Sequence, residues 1–191
     1  MINLLINVYF CKNRNNYKMK KILFPLIAVC LVLAGCQKTG PDAFKGNFSF
    51  KTGGYVEISG KAKPLLKEEP LRDTSFIRHL PNESGQMHIV ANKNGSMKVT
   101  MNITGGNPVV FDATATNDAI TLAPVERQMI VYPDMTPLGQ DISMMLSIGG
   151  VGHRYQNMII FDMEVKGKYN TLLIEGEISK SYVTCIATEN E

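Results

Sequence analysis

The chain has 191 residues, 45% of them hydrophobic, with 20 Lys and Arg against 17 Asp and Glu, a formal charge of +3. That length is enough for one domain with a real core. The positive charge belongs to the first 35 residues, where Lys12, Arg14, Lys18, Lys20 and Lys21 stand without an acidic residue; the remainder carries 15 basic against 17 acidic residues, or −2. A balance of that sign gives no case for nucleic acid as a partner.

In chain order, Met19-Lys20-Lys21 opens a basic stretch, and an apolar run of 13 residues follows from Ile22 to Ala34. Such a run is too short to span a bilayer comfortably, which takes roughly 20 residues. It ends in Leu33-Ala34-Gly35-Cys36, and the chain turns polar at Gln37. A basic start, an apolar core and small residues before the cut make a secretory signal. The small residues ahead of a cysteine read as a lipobox. Residues 1–35 are then leader and signal, with Met19 the natural initiator, and cleavage falls between Gly35 and Cys36. Cys36 becomes the acylated N-terminus, and each buried methylene of its acyl chains contributes about 0.8 kcal/mol to anchoring. Residues 36–42 read as a lipidated tether and 43–191 as a single β-barrel domain.

With the leader gone and Cys36 acylated, only Cys185 remains as a thiol. No intramolecular disulfide is available, and a lone cysteine without a supporting His or Asn pattern reads as a small buried hydrophobe.

The rest of the chain alternates apolar and polar residues, with turn signals about every ten residues and no long helical period, which predicts an all-β domain. Registers follow from matching faces, since a one-residue slip turns a strand over. Phe48 and Phe50 match Ile58 and Val56 if Thr52-Gly53-Gly54 is a three-residue loop. Gln86–Asn92 and Met97–Ile103 match if Lys93-Asn94-Gly95 is the loop, pairing Ala91 with Met97, Ile89 with Val99 and Met87 with Met101. Gly95 then takes the position that needs positive φ. Val109–Ala115 pairs with Ile120 and Leu122 across a two-residue Asn117-Asp118 turn, both residues that tolerate left-handed geometry. Ile159, Phe161, Met163 and Val165 face Ile178, Gly176, Ile174 and Leu172, which lays Phe161 over Gly176. Further strands are expected at Gln128–Tyr132, Ile142–Ile148 and Ser181–Thr188, and irregular stretches at Lys63–Pro81 and Pro133–Gln140. Sequential hairpins favour an antiparallel up-and-down meander of about eight to ten strands closing into a barrel, with a β-sandwich as the alternative.

The signal, the opening Phe44-Lys45-Gly46-Asn47-Phe48-Ser49-Phe50-Lys51-Thr52-Gly53-Gly54, and the succession Gln86–Ile103, Phe111–Thr116 and Thr121-Leu122-Ala123-Pro124 together resemble small lipoproteins of Bacteroides and relatives. That resemblance implies a calycin, or lipocalin-like, barrel in a family without an assigned function. It also implies residence on the periplasmic leaflet of the outer membrane. The lipocalin Gly-x-Trp signature is absent, since the chain has no tryptophan.

Little in the sequence points to catalysis. His79, His88 and His153 have no metal-ligand spacing between them. Gly149-Gly150-Val151-Gly152 is followed by no Lys-Ser/Thr and is not a phosphate loop; with His153-Arg154-Tyr155 it reads as a flexible loop. Asp162/Glu164 and Glu175/Glu177 sit two apart on strands, on the face opposite the apolar one, as solvated outer charge does. No catalytic residue, metal site or cofactor is expected. The least ordinary feature is methionine, which is flexible and polarisable and recurs on adaptable binding surfaces, although core filler is its commoner use. Met87, Met97, Met101 and Met163, with Phe111 and Phe161, are the expected lining of any internal cavity. The function expected is a lipid-anchored, non-enzymatic binding module for a small apolar or amphipathic ligand. The alternative is an interaction protein with a packed core that binds another envelope protein through loops at Lys63–Pro81 and Val151–Asn157.

Overall fold

The computed structural model describes residues 40–62, 72–92, 95–133, 142–170 and 174–190. Almost all of these lie in ten antiparallel strands: β1 (Gly46–Ala62), β2 (Arg72–His79), β3 (Ser84–Ala91), β4 (Met97–Ile103), β5 (Val109–Ala115), β6 (Ala119–Pro133), β7 (Ile142–Tyr155), β8 (Met158–Lys166), β9 (Lys168–Asn170) and β10 (Ile174–Glu189). Their order in the sheet is β2-β1-β3-β4-β5-β6-β7-β8-β10-β9, and β1 also pairs with β10. Eight of them, β1, β3 to β8 and β10, therefore close a ring, and the fold is an all-β barrel with up-and-down connections rather than a sandwich.

The ring is not the same all the way down. β1 pairs with β3 over Gly46–Lys51 and then with β2 over Tyr55–Ala62. β6 pairs with β5 over Ile120–Leu122 and touches β2 only at Tyr132 and Pro133. Three short strands fill the wall between β1 and β6 at one end, and the single strand β2 fills it at the other. A barrel's diameter grows with strand number, so this one has a wide end and a narrow end.

Inside, alternate residues supply the core. Phe48, Phe50, Val56 and Ile58 of β1 are buried, as are Met87 and Ile89 of β3, Met97, Val99 and Met101 of β4, and Ile159, Phe161, Met163 and Val165 of β8. Each such side chain stabilises the fold by roughly 1.5–3 kcal/mol on burial. The wide end is closed by the turn that precedes β1. Gly40–Ala43 forms a 3-10 turn with Gly40 and Ala43 buried, and Phe44 is only 1% exposed. Arg154 holds this turn down by donating to the Ala43 carbonyl at 2.5 Å and pairing with Glu189, with its guanidinium 5.8 Å from the centre of the Phe48 ring. The tether expected over 36–42 thus gives way to folded chain by Gly40, because Ala43 and Phe44 bury apolar surface.

Two hairpins have the expected registers. Ala91 pairs with Met97, Ile89 with Val99 and Met87 with Met101, and Gly95 has φ +82°. Lys93 and Asn94 themselves lie outside the described residues. Ala113 pairs with Leu122 and Ala115 with Ile120, and the turn is closed by the Thr116 amide on the Ala119 carbonyl at 2.8 Å. Neither Asn117 nor Asp118 takes positive φ; among the described residues the one non-glycine residue that does is Gln156, at 55°, in the β7–β8 turn.

Other expectations need correction. Thr52-Gly53-Gly54 is not a loop: β1 runs straight through it as one strand of 17 residues. The faces agree either way, because a three-residue loop and a continuous strand both put 48, 50, 56 and 58 on one side. What Gly54 does is let β10 come close. Gly54 has φ +140°, and a Cβ there would run into the Tyr182 carbonyl of β10. Within the stretch expected to be irregular at Lys63–Pro81, Arg72–His79 is strand β2 and residues 63–71 lie outside the described residues, and the supposed flexible run Gly149–Tyr155 lies within β7. Of Pro133–Gln140, Pro133 ends β6 and the remainder lies outside the described residues. β8 does pair with β10, but further along: Phe161 opposes Cys185, Ile159 opposes Ala187 and Met163 opposes Val183. The register moves because Lys168–Asn170 folds back as β9 on Glu175–Glu177 and uses up the start of β10. Gly176 instead lies between Gly60 and Tyr169. Phe161 does cover a glycine, namely Gly152 of β7, where its ring fills the space a Cβ would need.

Two glycine substitutions separate these roles. Gly95→Val meets nothing within 4 Å and has only the strain of positive φ against it; we expect a loss of about 1–2 kcal/mol. Gly54→Val has the same strain plus a backbone collision, and should cost about 3 kcal/mol or more. Equal denaturation midpoints for the two variants would contradict a continuous β1 with β10 packed against Gly54.

Candidate functional site

All six residues expected to line an internal cavity point inward and are buried: Met87, Met97 and Phe161 are 0% exposed, Phe111 2%, Met101 4% and Met163 6%. The structure does not gather them around one space. Met101, Phe111 and Met163 border a void of about 40 Å³, together with Met129, Ile148, Val165 and Val183. Met87, Met97 and Phe161 pack into the solid part of the core and do not touch it. Sites that hold drug-sized molecules run to roughly 300–1,000 Å³. The void is several times smaller, and apart from Thr52, Glu83 and Arg127 its side chains are apolar.

The void lies behind a gap in the barrel wall. Among the described residues, β6 is paired along one edge with β5 only up to Leu122 and with β2 only from Tyr132. The edge between them faces the lower half of β5 and the link from β2 to β3. Two prolines open this seam. Ala123 and Pro124 form a bulge between Leu122 and Val125, opposite Gly149 of β7; proline has no N–H to give a ladder, and a bulge turns the strand. Pro108 stands just before β5. Outside the seam is an open groove of about 470 Å³ bordered by Asn107–Val110 and Val125–Gln128. Val109 and Arg127 border both the groove and the void, so the two meet there.

One ion pair spans the gap. Arg127 donates Nη1–H and Nη2–H to the two carboxylate oxygens of Glu83, both at 2.6 Å. Glu83 is fixed in turn by β1: its carbonyl accepts from the Thr52 amide at 2.8 Å and its amide donates to Thr52 Oγ1 at 3.0 Å. A bidentate guanidinium–carboxylate pair is directional and holds a fixed geometry. Neither Glu83 nor Arg127 was expected from the sequence. Pro124 inside an alternating run was the readable signal, since it marks a strand edge that has no partner.

The remaining polar groups do not converge. His88 and His153 are exposed on the outer wall, with Asn47 Oδ1 2.5 Å and the Asp118 carbonyl 3.2 Å away respectively. His79 faces outward beside Tyr55, ring centres 6.0 Å apart. Asp162, Glu164, Glu175 and Glu177 are all exposed. At the narrow end Arg78 is buried, donates to the Tyr169 hydroxyl at 3.0 Å and lies over the Phe76 ring. Gly35 and Cys36 lie outside the described residues. No family model matches the chain, and no curated protein matches it.

Cys185 is fully buried against the interior, and burial pushes its thiol from the ordinary 9.0 up to about 12. A thiol kept neutral is neither a nucleophile nor a ready target for oxidation. The unfolded chain ionises this thiol near its ordinary value and the folded chain does not. Its contribution to stability is therefore complete below about pH 9 and is lost as pH rises from there toward 12. We expect wild type to lose stability relative to Cys185→Ala over that window, at up to roughly 1.4 kcal/mol per pH unit. Urea unfolding at stepped pH measures this, and parallel curves for the two proteins would show that the thiol is not buried as described.

Proposed function

We propose that this is a lipid-anchored protein of the cell envelope that works by binding and catalyses nothing. The anchor rests on Leu33-Ala34-Gly35-Cys36 following a short apolar run. The resemblance to Bacteroides-type calycin lipoproteins, and with it the periplasmic leaflet of the outer membrane, belongs to the same proposal. Four residues of chain reach at most about 14 Å. A lipid on Cys36 would hold the wide end, where Gly40 begins the fold, next to the bilayer, and would leave the side walls and narrow end free to meet a partner.

The observation that carries the choice of partner is the filled interior. A void of about 40 Å³ holds no drug-sized ligand. That supports the interaction protein, engaging another envelope protein through its outer surface, over a carrier that swallows its cargo. A small-ligand reading keeps one foothold, the seam between β5 and β6 with its void behind.

Two measurements test this. Cys36→Ser should release the protein from the membrane fraction and abolish lipid labelling, and unchanged fractionation would remove the anchor. A bulky environment-sensitive apolar dye should show no saturable binding to the wild-type domain. One-to-one binding would overturn the packed-core reading and restore the carrier.

A further inference from the structure

We propose that the seam between β5 and β6 is a binding site for a single unbranched hydrocarbon chain, taken end-first, whose polar head stays in the outer groove. This rests on the small-ligand reading above and gives it a place.

Three observations meet at the seam. The first is the wall itself. β6 has no strand against the edge between Leu122 and Tyr132 among the described residues, while its other edge is paired with β7 from Ala119 to Val131. Parting β5 from β6 here breaks no ladder, so this is where the barrel opens at least cost. The second is the space behind. A void of about 40 Å³ takes about three water-sized volumes, on the order of 10–15 Å³ each in this measure. That is room for the last few carbons of a chain and not for a ring system. Met101, Met129 and Met163 border it, and unbranched thioether side chains move aside by bond rotation, without losing hydrogen bonds, to admit more.

The third is the lip. Val109 and Arg127 join void to groove, and Arg127 is already neutralised by Glu83 in a two-point pair. A head group that brought its own charge would have to break that pair and strand a half-buried carboxylate or guanidinium. The head that fits is therefore uncharged and hydrogen-bonding, lying among Asn107, Glu126 and Gln128 in the groove. Burying the chain end supplies the affinity at about 0.8 kcal/mol for each methylene. The ligand class is a neutral single-chain amphiphile, such as an alkyl glycoside or a monoacylglycerol.

The test uses the domain from Gln37 onward, labelled with carbon-13 at the methionine methyls. Decyl maltoside is titrated below its micelle concentration, with maltose as the head-only control. We expect saturable shifts at Met101, Met129 and Met163, none at Met87 or Met97, and none with maltose. Val109→Phe, at the half-exposed rim, should weaken binding at least tenfold; its thermal midpoint reports whether the fold is kept, and the wild-type methyl map decides the matter if it is not. Saturable shifts confined to Met87 and Met97 would overturn the seam while keeping a ligand inside the barrel. Shifts reproduced by maltose would overturn the chain as the recognised part. No saturable shift at any methionine would overturn both this proposal and the small-ligand reading, leaving the protein-partner proposal standing.

Discussion

The pairing of the first strand with the last holds the barrel shut. β1 and β10 run antiparallel from Phe48–Glu189 to Ala62–Ile174, slipping once at Glu57/Ile58. These strands come from opposite ends of the folded chain, so the ring closes only when the whole meander has been laid down. Such long-range pairing carries the largest loop-closure cost in the fold and is offset only once the interior fills. Everything else follows from the length of β1. A strand of 17 residues reaches past the ends of its short neighbours, and it must find two partners in turn along its free edge. It takes β3 for one half and β2 for the other. The taper, the narrow end and the unpaired stretch of β6 are consequences of that change of partner.

The same length explains which parts of the fold were legible. A hairpin is readable where its turn chemistry and its faces agree on one register, as at Asn92–Ser96 and Thr116–Ala119, where the closing hydrogen bonds are 2.7 and 2.8 Å. Alternation alone does not distinguish a three-residue loop from an unbroken strand, because both preserve the parity of the buried positions. Thr52-Gly53-Gly54 carried turn-forming residues at a place where the strand continues and β10 comes close. For β8 the parity was also right, and Phe161 does face inward over a bare glycine. The partner was wrong by nine residues, Cys185 in place of Gly176, an odd slip that the bulge at Ser179 absorbs: Glu57 pairs with Lys180 and Ile58 with Ile178, so the inward positions pass from even to odd numbers along β10. Neither that bulge nor the return of β9 onto Glu175–Glu177 has a strong signal in the sequence.

Inwardness of the candidate site was legible, but its volume was not. Period-two patterning tells which side chains enter a barrel, and Met87, Met97, Met101, Phe111, Phe161 and Met163 all enter. Whether they leave a space depends on how the rings and thioethers of several strands interlock, and interiors pack close to crystalline density unless something prevents it. Phe161 pressing into the place of an absent Cβ at Gly152, and Phe44 entering from the N-terminal turn, fill the part of the barrel that a cavity would need. The void that survives sits where the wall itself is imperfect, beside Arg127 and Met129 on the stretch of β6 that pairs with neither β5 nor β2 among the described residues.

That coincidence of void and seam has a physical reason. A closed ladder draws neighbouring strands to about 4.8 Å and presses their inward side chains together. Where β5 and β6 part, Val109, Phe111 and Met129 lose that lateral pressure, and a small space is left between them and Met163, Val165 and Val183. The Glu83–Arg127 pair bridges the opening at the surface but contributes no bulk to the interior. Its two hydrogen bonds are directional and tie β6 to the link before β3, while the methionines behind it have no hydrogen bond to hold them. The seam thus combines a lip tied at one point with an interior of unbranched side chains, and the proposal that it admits a slender chain rests on that combination.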